Sequence, residues 1–255
     1  MPSQIVEHAI KNMFCDYLGF DEGTFYYELI KNKDYLSKSS SHSHSKKYRI
    51  LNKLFELGVV AKIGNPEENA KYFPLPPTFL MRDIKEEHLI VSLEKIYIKN
   101  YFVEFQKNVE NKYLTISFRG HANNWLLLFL LKYIMEKKAI ILMGGVREYA
   151  FYKEHLNNEQ FDKIEYYYRN DYAKSKTFNA IPLNFSKISN RRVAIIDDKI
   201  FIEFLKFPNS DHYNRPQDSY YVGYILGDKF KTNNGKEAVS YISQMINEIK
   251  ELIKL

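Results

Sequence analysis

Cysteine is almost absent. Cys15 is the only one in 255 residues, which excludes an intramolecular disulfide framework. Long apolar runs are absent too. The longest, Trp125 to Leu131, falls far short of the roughly 20 residues that a membrane-spanning helix needs. The first residues lack the basic, apolar and small-residue succession of a secretory signal. No internal repeat is visible, and neither the Rossmann nor the P-loop glycine spacing occurs. These absences exclude a disulfide-stapled secreted domain, a helical membrane span and the common nucleotide-binding motifs. The expectation is a soluble cytoplasmic chain with no cofactor. Gln is scarce while Lys, Ile and Tyr are plentiful, a usage that fits an AT-rich, heat-adapted source.

What is present suffices for a sizeable core. Hydrophobic residues make up 45% and aromatics 16% of the chain. The length accommodates one large or two ordinary domains. A formal net charge of +6 favours a polyanionic partner, and the placement of that charge says more. From Lys31 to Lys53 there are seven Lys or Arg (31, 33, 38, 46, 47, 49, 53) against one acid, Asp34. The rest of the first 83 residues carries four basic and nine acidic residues.

The segment Ser39 to Pro74 has an ordered pattern. Ile50, Leu51, Leu54 and Leu57 lie at helical spacing, which makes one apolar stripe. Gly58 follows as a helix stop. Val59 to Ile63 is short and β-prone, Gly64-Asn65-Pro66 is turn chemistry, and Lys71-Tyr72-Phe73 reads as a returning strand ended by Pro74. Ile5, Ala9, Met13 and Leu18 outline a helix upstream, and Thr24 to Lys31 a second one introduced by Asp21-Glu22-Gly23. Helices followed by a basic helix and a hairpin are the order of a winged-helix domain, with duplex DNA as the implied partner. The residues expected at DNA are Ser43, His44, Ser45, Lys46, Lys47, Arg49 and Lys53 on the recognition helix, and Lys71 on the wing.

A boundary is expected near Pro74-Leu75-Pro76-Pro77, where three prolines interrupt regular structure. Beyond it, Ile90, Leu93, Tyr97, Tyr101, Phe105 and Val109 form one face of a helix running from Asp83 to about Val109, roughly 40 Å long. This stripe would pair with its twin in a homodimer, or pack on the chain's own second domain. From Tyr113 onward strands and helices alternate. Strands are expected at 113–118, 139–143, 164–168, 192–196, 200–207 and 220–226. Helices are expected at 121–138, 147–156 and from Gly235 to the end, with polar loops at 171–189 and 208–219. The fold class is therefore α/β, α+β overall. It divides into a winged helix at 1–80, a linker or dimerisation helix at 81–110 and an α/β domain at 111–255.

Asn190-Arg191-Arg192-Val193-Ala194-Ile195-Ile196-Asp197 resembles the phospholipase D motif His-x-Lys-x-x-x-x-Asp, with Asn190 at the nucleophilic His, Arg192 at the Lys and Asp197 at the Asp. An amide cannot form the phospho-enzyme that imidazole forms. The resemblance thus implies the fold without the chemistry. A winged helix followed by a non-catalytic domain of this type resembles the TrmB family of archaeal transcription regulators. That resemblance implies a regulator that binds promoter DNA, with a C-terminal domain for a small-molecule effector or for assembly. Asn190, Arg192 and Asp197 are its candidate ligand residues. The alternative is a phosphodiesterase or nuclease with a DNA-binding arm, against which the missing His at 190 counts.

Other candidates are weaker. His42 and His44 are spaced like metal ligands, but no Cys or further His stands close, so no metal site is assigned. Met143-Gly144-Gly145-Val146-Arg147 could cradle an anion or simply turn the chain. Arg119, Asn123, Asn124 and Trp125 could line a pocket. His121, His155 and His212 have no evident nucleophile partner.

Overall fold

A computed structural model describes residues 4–33, 44–64, 71–80, 87–119, 122–142, 146–169, 181–183, 192–206, 220–230 and 238–253. Helix α1 spans Gln4–Leu18 and α2 spans Phe20–Lys31. Only Gly19 separates them, at φ 97, a backbone setting that favours glycine. Helix α2 thus begins four residues before the expected Thr24, and its first turn takes up Asp21 and Glu22, whose negative charges suit a helix N-terminus. The buried stripe of α1 is Ile10, Phe14 and Leu18. It lies one residue round from the expected Ile5, Ala9, Met13 set, and Ala9 is exposed. The helices nearly touch at Gly23, where an added Cβ would lie 2.4 Å from the Phe14 carbonyl oxygen.

Helix α3 runs His44–Glu56 and buries Ile50, Leu51 and Leu54. Gly58, at φ 78, ends it. Its N–H donates to the Phe55 carbonyl and that of Val59 to the Leu54 carbonyl. This is a Schellman cap, and it satisfies carbonyls the helix would leave orphaned. Strands β1 (Val60–Ile63) and β2 (Lys71–Pro74) then form the expected antiparallel hairpin.

The Pro74–Pro77 segment is buried rather than an exposed linker. It leads to a short 3-10 helix, Pro77–Leu80, and then to α4, Glu87–Asn111. Leu93, Tyr97, Tyr101, Phe105 and Val109 of α4 are all buried within the chain. Tyr97 stacks on Tyr101 at 5.6 Å, Phe105 on Phe73 at 6.2 Å, and both meet Phe129 edge-on. The stripe is thus consumed by the chain's own core and is not open to a twin. The side chain of Ile90 lies outside the described residues.

The remaining elements are β3 (Tyr113–Arg119), α5 (Ala122–Tyr133), β4 (Ala139–Leu142), α6 (Val146–His155), α7 (Asn158–Asp162), β5 (Ile164–Arg169), β6 (Ile181–Leu183), β7 (Arg192–Ile196), β8 (Ile200–Lys206), β9 (Tyr220–Gly227) and α8 (Ala238–Ile253). Strand β6 falls inside a stretch expected to be loop. The nine strands form one mixed sheet in the order β2-β1-β3-β9-β8-β7-β4-β5-β6. Only β4–β5 and β5–β6 are parallel. Hairpin strand β1 pairs with β3, Lys62 opposite Thr115 and Ile63 opposite Leu114. One sheet therefore runs from the hairpin through to β6.

Alternation along the strands gives the sheet two apolar faces. Leu114, Ile116, Ile141, Ala194, Ile202 and Ile225 share a core with α1 to α6. Ile140, Val193, Ile195, Phe201 and Leu226 share a second, smaller one with Ile242, Met245 and Ile246 of α8.

Two glycines sit where backbones touch. A Cβ at Gly227 would come within 2.0 Å of the Glu110 carbonyl oxygen. Gly23→Ala and Gly227→Ala are each expected to destabilise the fold by about 3 kcal/mol, the cost of forcing packed backbones apart. Denaturant midpoints of the two variants check this; midpoints unchanged from the parent would refute the close approach.

Candidate nucleic-acid interface

The outward face of α3 follows from helical spacing. With Ile50, Leu51 and Leu54 inward, Ser45, Tyr48, Arg49, Asn52, Lys53 and Glu56 are exposed. Arg49 has no ion-pair partner among the described residues. Lys71, at the start of β2, is exposed, and alternation along the strand turns it to the side opposite Tyr72. Ser43 lies outside the described residues. His44 opens α3, and its side chain is not described.

The structure places acids against much of the basic run. Lys46 Nζ lies 3.1 Å from Asp21 Oδ2, and Lys53 Nζ lies 2.9 Å from Glu22 Oε1. Both acids come from the first turn of α2. Lys31 pairs with Glu7 at 2.9 Å, and Lys33 with Glu104 at 3.3 Å. Four of the seven basic residues that cluster in sequence are therefore partnered across the fold. The Lys46–Asp21 and Lys33–Glu104 pairs are exposed on both sides and contribute roughly 0.2–1 kcal/mol each, little enough for a phosphate to take over the lysine.

The hairpin adds a group that sequence reasoning passed over. The Tyr72 hydroxyl donates to Asn52 Oδ1 on α3. The Tyr48 ring meets that of Tyr72 edge-on at 6.4 Å. Lys62 Nζ lies 4.3 Å from the Phe55 ring centroid and 5.8 Å from that of Tyr72. Burial, then the neighbouring Tyr48, raises the Tyr72 pKa, so its hydroxyl keeps its proton at neutral pH. Tyr48 and Asn52 could have been flagged in the sequence as the outer face of the helix. Their link to Tyr72 bridges 20 residues and has no local signal.

Of the motif residues in the second half, Arg192 and Asp197 do not converge. Asn190 lies outside the described residues. Arg192 opens β7 and Asp197 follows its end, so about 16 Å of extended chain separates them. Arg192 and Asp197 therefore do not lie side by side. Arg192 approaches Glu148 of α6 at 3.8 Å. Asp197 accepts hydrogen bonds from the backbone N–H groups of Glu136, Lys137 and Lys138 at 2.8, 2.7 and 2.9 Å. It stands with Asp198 at positive φ, 54 and 57. The Lys199 N–H donates to the Ile196 carbonyl across them, the two-residue hairpin turn that demands such backbone. Asp197 is thereby committed to anchoring the α5–β4 connection.

The remaining candidates scatter. Asn124 is buried with its Oδ1 3.5 Å from the Tyr152 hydroxyl. Trp125 packs edge-on against Phe151 and His155, at 4.8 and 5.1 Å. The side chains of Arg119, Asn123 and Arg147, together with His42, His121, Gly144, Gly145 and His212, lie outside the described residues. Among the described residues no cluster of three metal-ligating side chains occurs, and no helix is long and apolar enough to cross a membrane.

No family model matches the chain, and no curated protein does. Among solved structures it is similar to that of TrmBL2, an archaeal chromatin protein whose structure is described as showing a novel mode of DNA binding. The identity is 14% and the TM-score 0.33, over 96% of this chain and 98% of that one. Similarity at this level does not establish a shared fold.

Because Asp197 serves three N–H groups, Asp197→Ala is expected to lower stability by about 2–3 kcal/mol, the range for charge-assisted bonds left unmade. Asp197→Asn should recover part of it. Thermal unfolding of the two variants checks the order, which a purely ligand-binding Asp197 would not produce.

Proposed function

We propose that the chain is a sequence-specific, duplex-DNA-binding transcription regulator. In this reading residues 1–80 form a winged-helix unit, α4 connects it onward, and residues 111–255 form a non-catalytic, phospholipase-D-like domain for sensing or assembly. The observation that carries it is the exposed face of α3, with Ser45, Arg49 and Asn52, standing directly beside the β1–β2 hairpin at Tyr72. A helix of about 20 Å with a hairpin at its flank suits the major groove and the neighbouring backbone. The net charge of +6 supports a polyanionic partner. Ser43, His44, Ser45, Lys46, Lys47, Arg49, Lys53 and Lys71 are the proposed contact residues. A two-fold assembly on paired half-sites would use a surface other than the buried stripe of α4. The commitment of Asp197 to backbone donors supports the absence of phosphodiesterase chemistry, as does Asn190 at the nucleophile position.

Binding to duplex DNA is expected to fall when Lys47 and Arg49 are both replaced by Ala, with the log–log salt slope reduced by about one for each phosphate contact removed. Asp21→Asn with Glu22→Gln should act the other way and strengthen binding, because Lys46 and Lys53 lose these two carboxylate charges. Gel shifts at two salt concentrations measure both effects, and indifference of affinity to all four changes would sink the reading.

The purified chain is also expected to leave a chromogenic phosphodiester and plasmid DNA intact without added metal. Turnover that disappears in Arg192→Ala would replace the regulator with an enzyme.

A further inference from the structure

The notch between α3 and the hairpin yields more than general DNA affinity. The inference rests on the DNA-binding reading above. An exposed asparagine on a recognition helix ordinarily reads adenine, its oxygen accepting from N6 and its nitrogen donating to N7. That pairing needs both ends of the amide turned to the base. Here the amide is oriented: the Tyr72 hydroxyl donates to one of the two lone pairs of Asn52 Oδ1 from the hairpin side, which turns the oxygen toward the hairpin and the Nδ2 end away from it. The Tyr72 ring is itself held, with Tyr48 edge-on at 6.4 Å and Lys62 Nζ at 5.8 Å. Lys62 is steadied in turn over Phe55 at 4.3 Å. Nothing in this set has to move for the Asn52 side chain to stay where it is, one turn beyond Tyr48 and Arg49 on the exposed face.

We propose that Tyr72 and Asn52 form the specificity-determining pair of the interface, with Tyr72 fixing the Asn52 amide so that its two N–H donors face outward and read guanine. Guanine offers two adjacent acceptors in the major groove, N7 and O6, whereas adenine offers one acceptor and one donor. An amide that presents only N–H groups matches the first edge and leaves the N6 donor of adenine unmet. Tyr72 then positions the reading group without itself touching the base.

The test is selection from duplexes carrying a randomised segment. The full chain is used as wild type, Tyr72→Phe and Asn52→Asp, with melting curves confirming that each is folded. The wild type is expected to enrich a position at which guanine exceeds adenine about fivefold or more. Tyr72→Phe, which removes only the hydroxyl, should erode that preference and admit adenine at the same position, with affinity for bulk duplex within about twofold. Asn52→Asp exchanges donor for acceptor and should shift the position toward cytosine, whose N4 donates. Adenine at that position in the wild type would overturn the pair, and so would an identical preference in wild type and Tyr72→Phe. Retention of duplex with no base preference would overturn the pair and leave general DNA binding standing. Failure of the wild type to retain any duplex would remove the DNA-binding reading and this inference with it.

Discussion

The structure depends on how two helices accommodate a proline-rich strand end in the core. The stretch from Pro74 to Pro77 offers carbonyls with few backbone donors to meet them, because proline has no N–H. Tyrosines supply the donors. The Tyr26 hydroxyl of α2 donates to the Leu75 carbonyl at 3.2 Å, and that of Tyr97 on α4 to the Pro74 carbonyl at 3.0 Å. The Tyr101 hydroxyl of α4 donates to the Leu29 carbonyl of α2. Burial holds Tyr26 and Tyr97 far above the ordinary phenol pKa, so they act as donors at any physiological pH. A buried carbonyl without these partners would cost about 1–3 kcal/mol. The aromatic side chains are therefore both the apolar filling of the junction and its hydrogen-bond supply.

That junction decides how the proposed DNA-facing elements are held. Helix α3 ends in its Schellman cap at Gly58, the chain passes straight into β1, and β1 pairs with β2 on one side and β3 on the other. The hairpin is thus an extension of the nine-stranded sheet rather than an isolated ribbon. A strand pair held by further strands gains a packed face that a lone hairpin lacks. The notch formed by Tyr48, Asn52, Tyr72 and Lys62 inherits this support. On the opposite flank of α3, Asp21 and Glu22 hold Lys46 and Lys53. The helix therefore has an acid-paired side and an aromatic side, and its outward face lies between them.

In the second half, one carboxylate has a structural role of its own. Asp197 sits in a turn whose positive φ values suit Asp and Asn better than most residues. Its two oxygens gather three N–H groups from the segment that links α5 to β4. The acid is needed for that loop whether or not a reaction takes place nearby. Buried Glu203 likewise accepts from the Tyr224 hydroxyl across β8 and β9. These carboxylates tie neighbouring strands and loops together.

Local physics was legible in the chain. The stripe and stop of α3, the hairpin, the three strands from Arg192 to Gly227 and the amphipathic α8 are each set by residues within a few positions of one another. Periodicity and turn chemistry report such interactions directly. The stripe of α4 was legible as an apolar face, but its occupant was not, because a stripe of Leu, Tyr and Phe packs as well on a twin as on Phe73 and Phe129. The basic run from Lys31 to Lys53 was visible as charge, while its partners Glu7, Asp21, Glu22 and Glu104 stand on other elements or far along the chain. The same holds for the Tyr72–Asn52 bond and for the distance between Arg192 and Asp197. By itself the sequence determined most of the longer helices and strands and where the positive charge is concentrated. Only the tertiary structure decided which side chains meet, since contacts between residues distant in the chain depend on how the elements pack, and no local pattern encodes that packing.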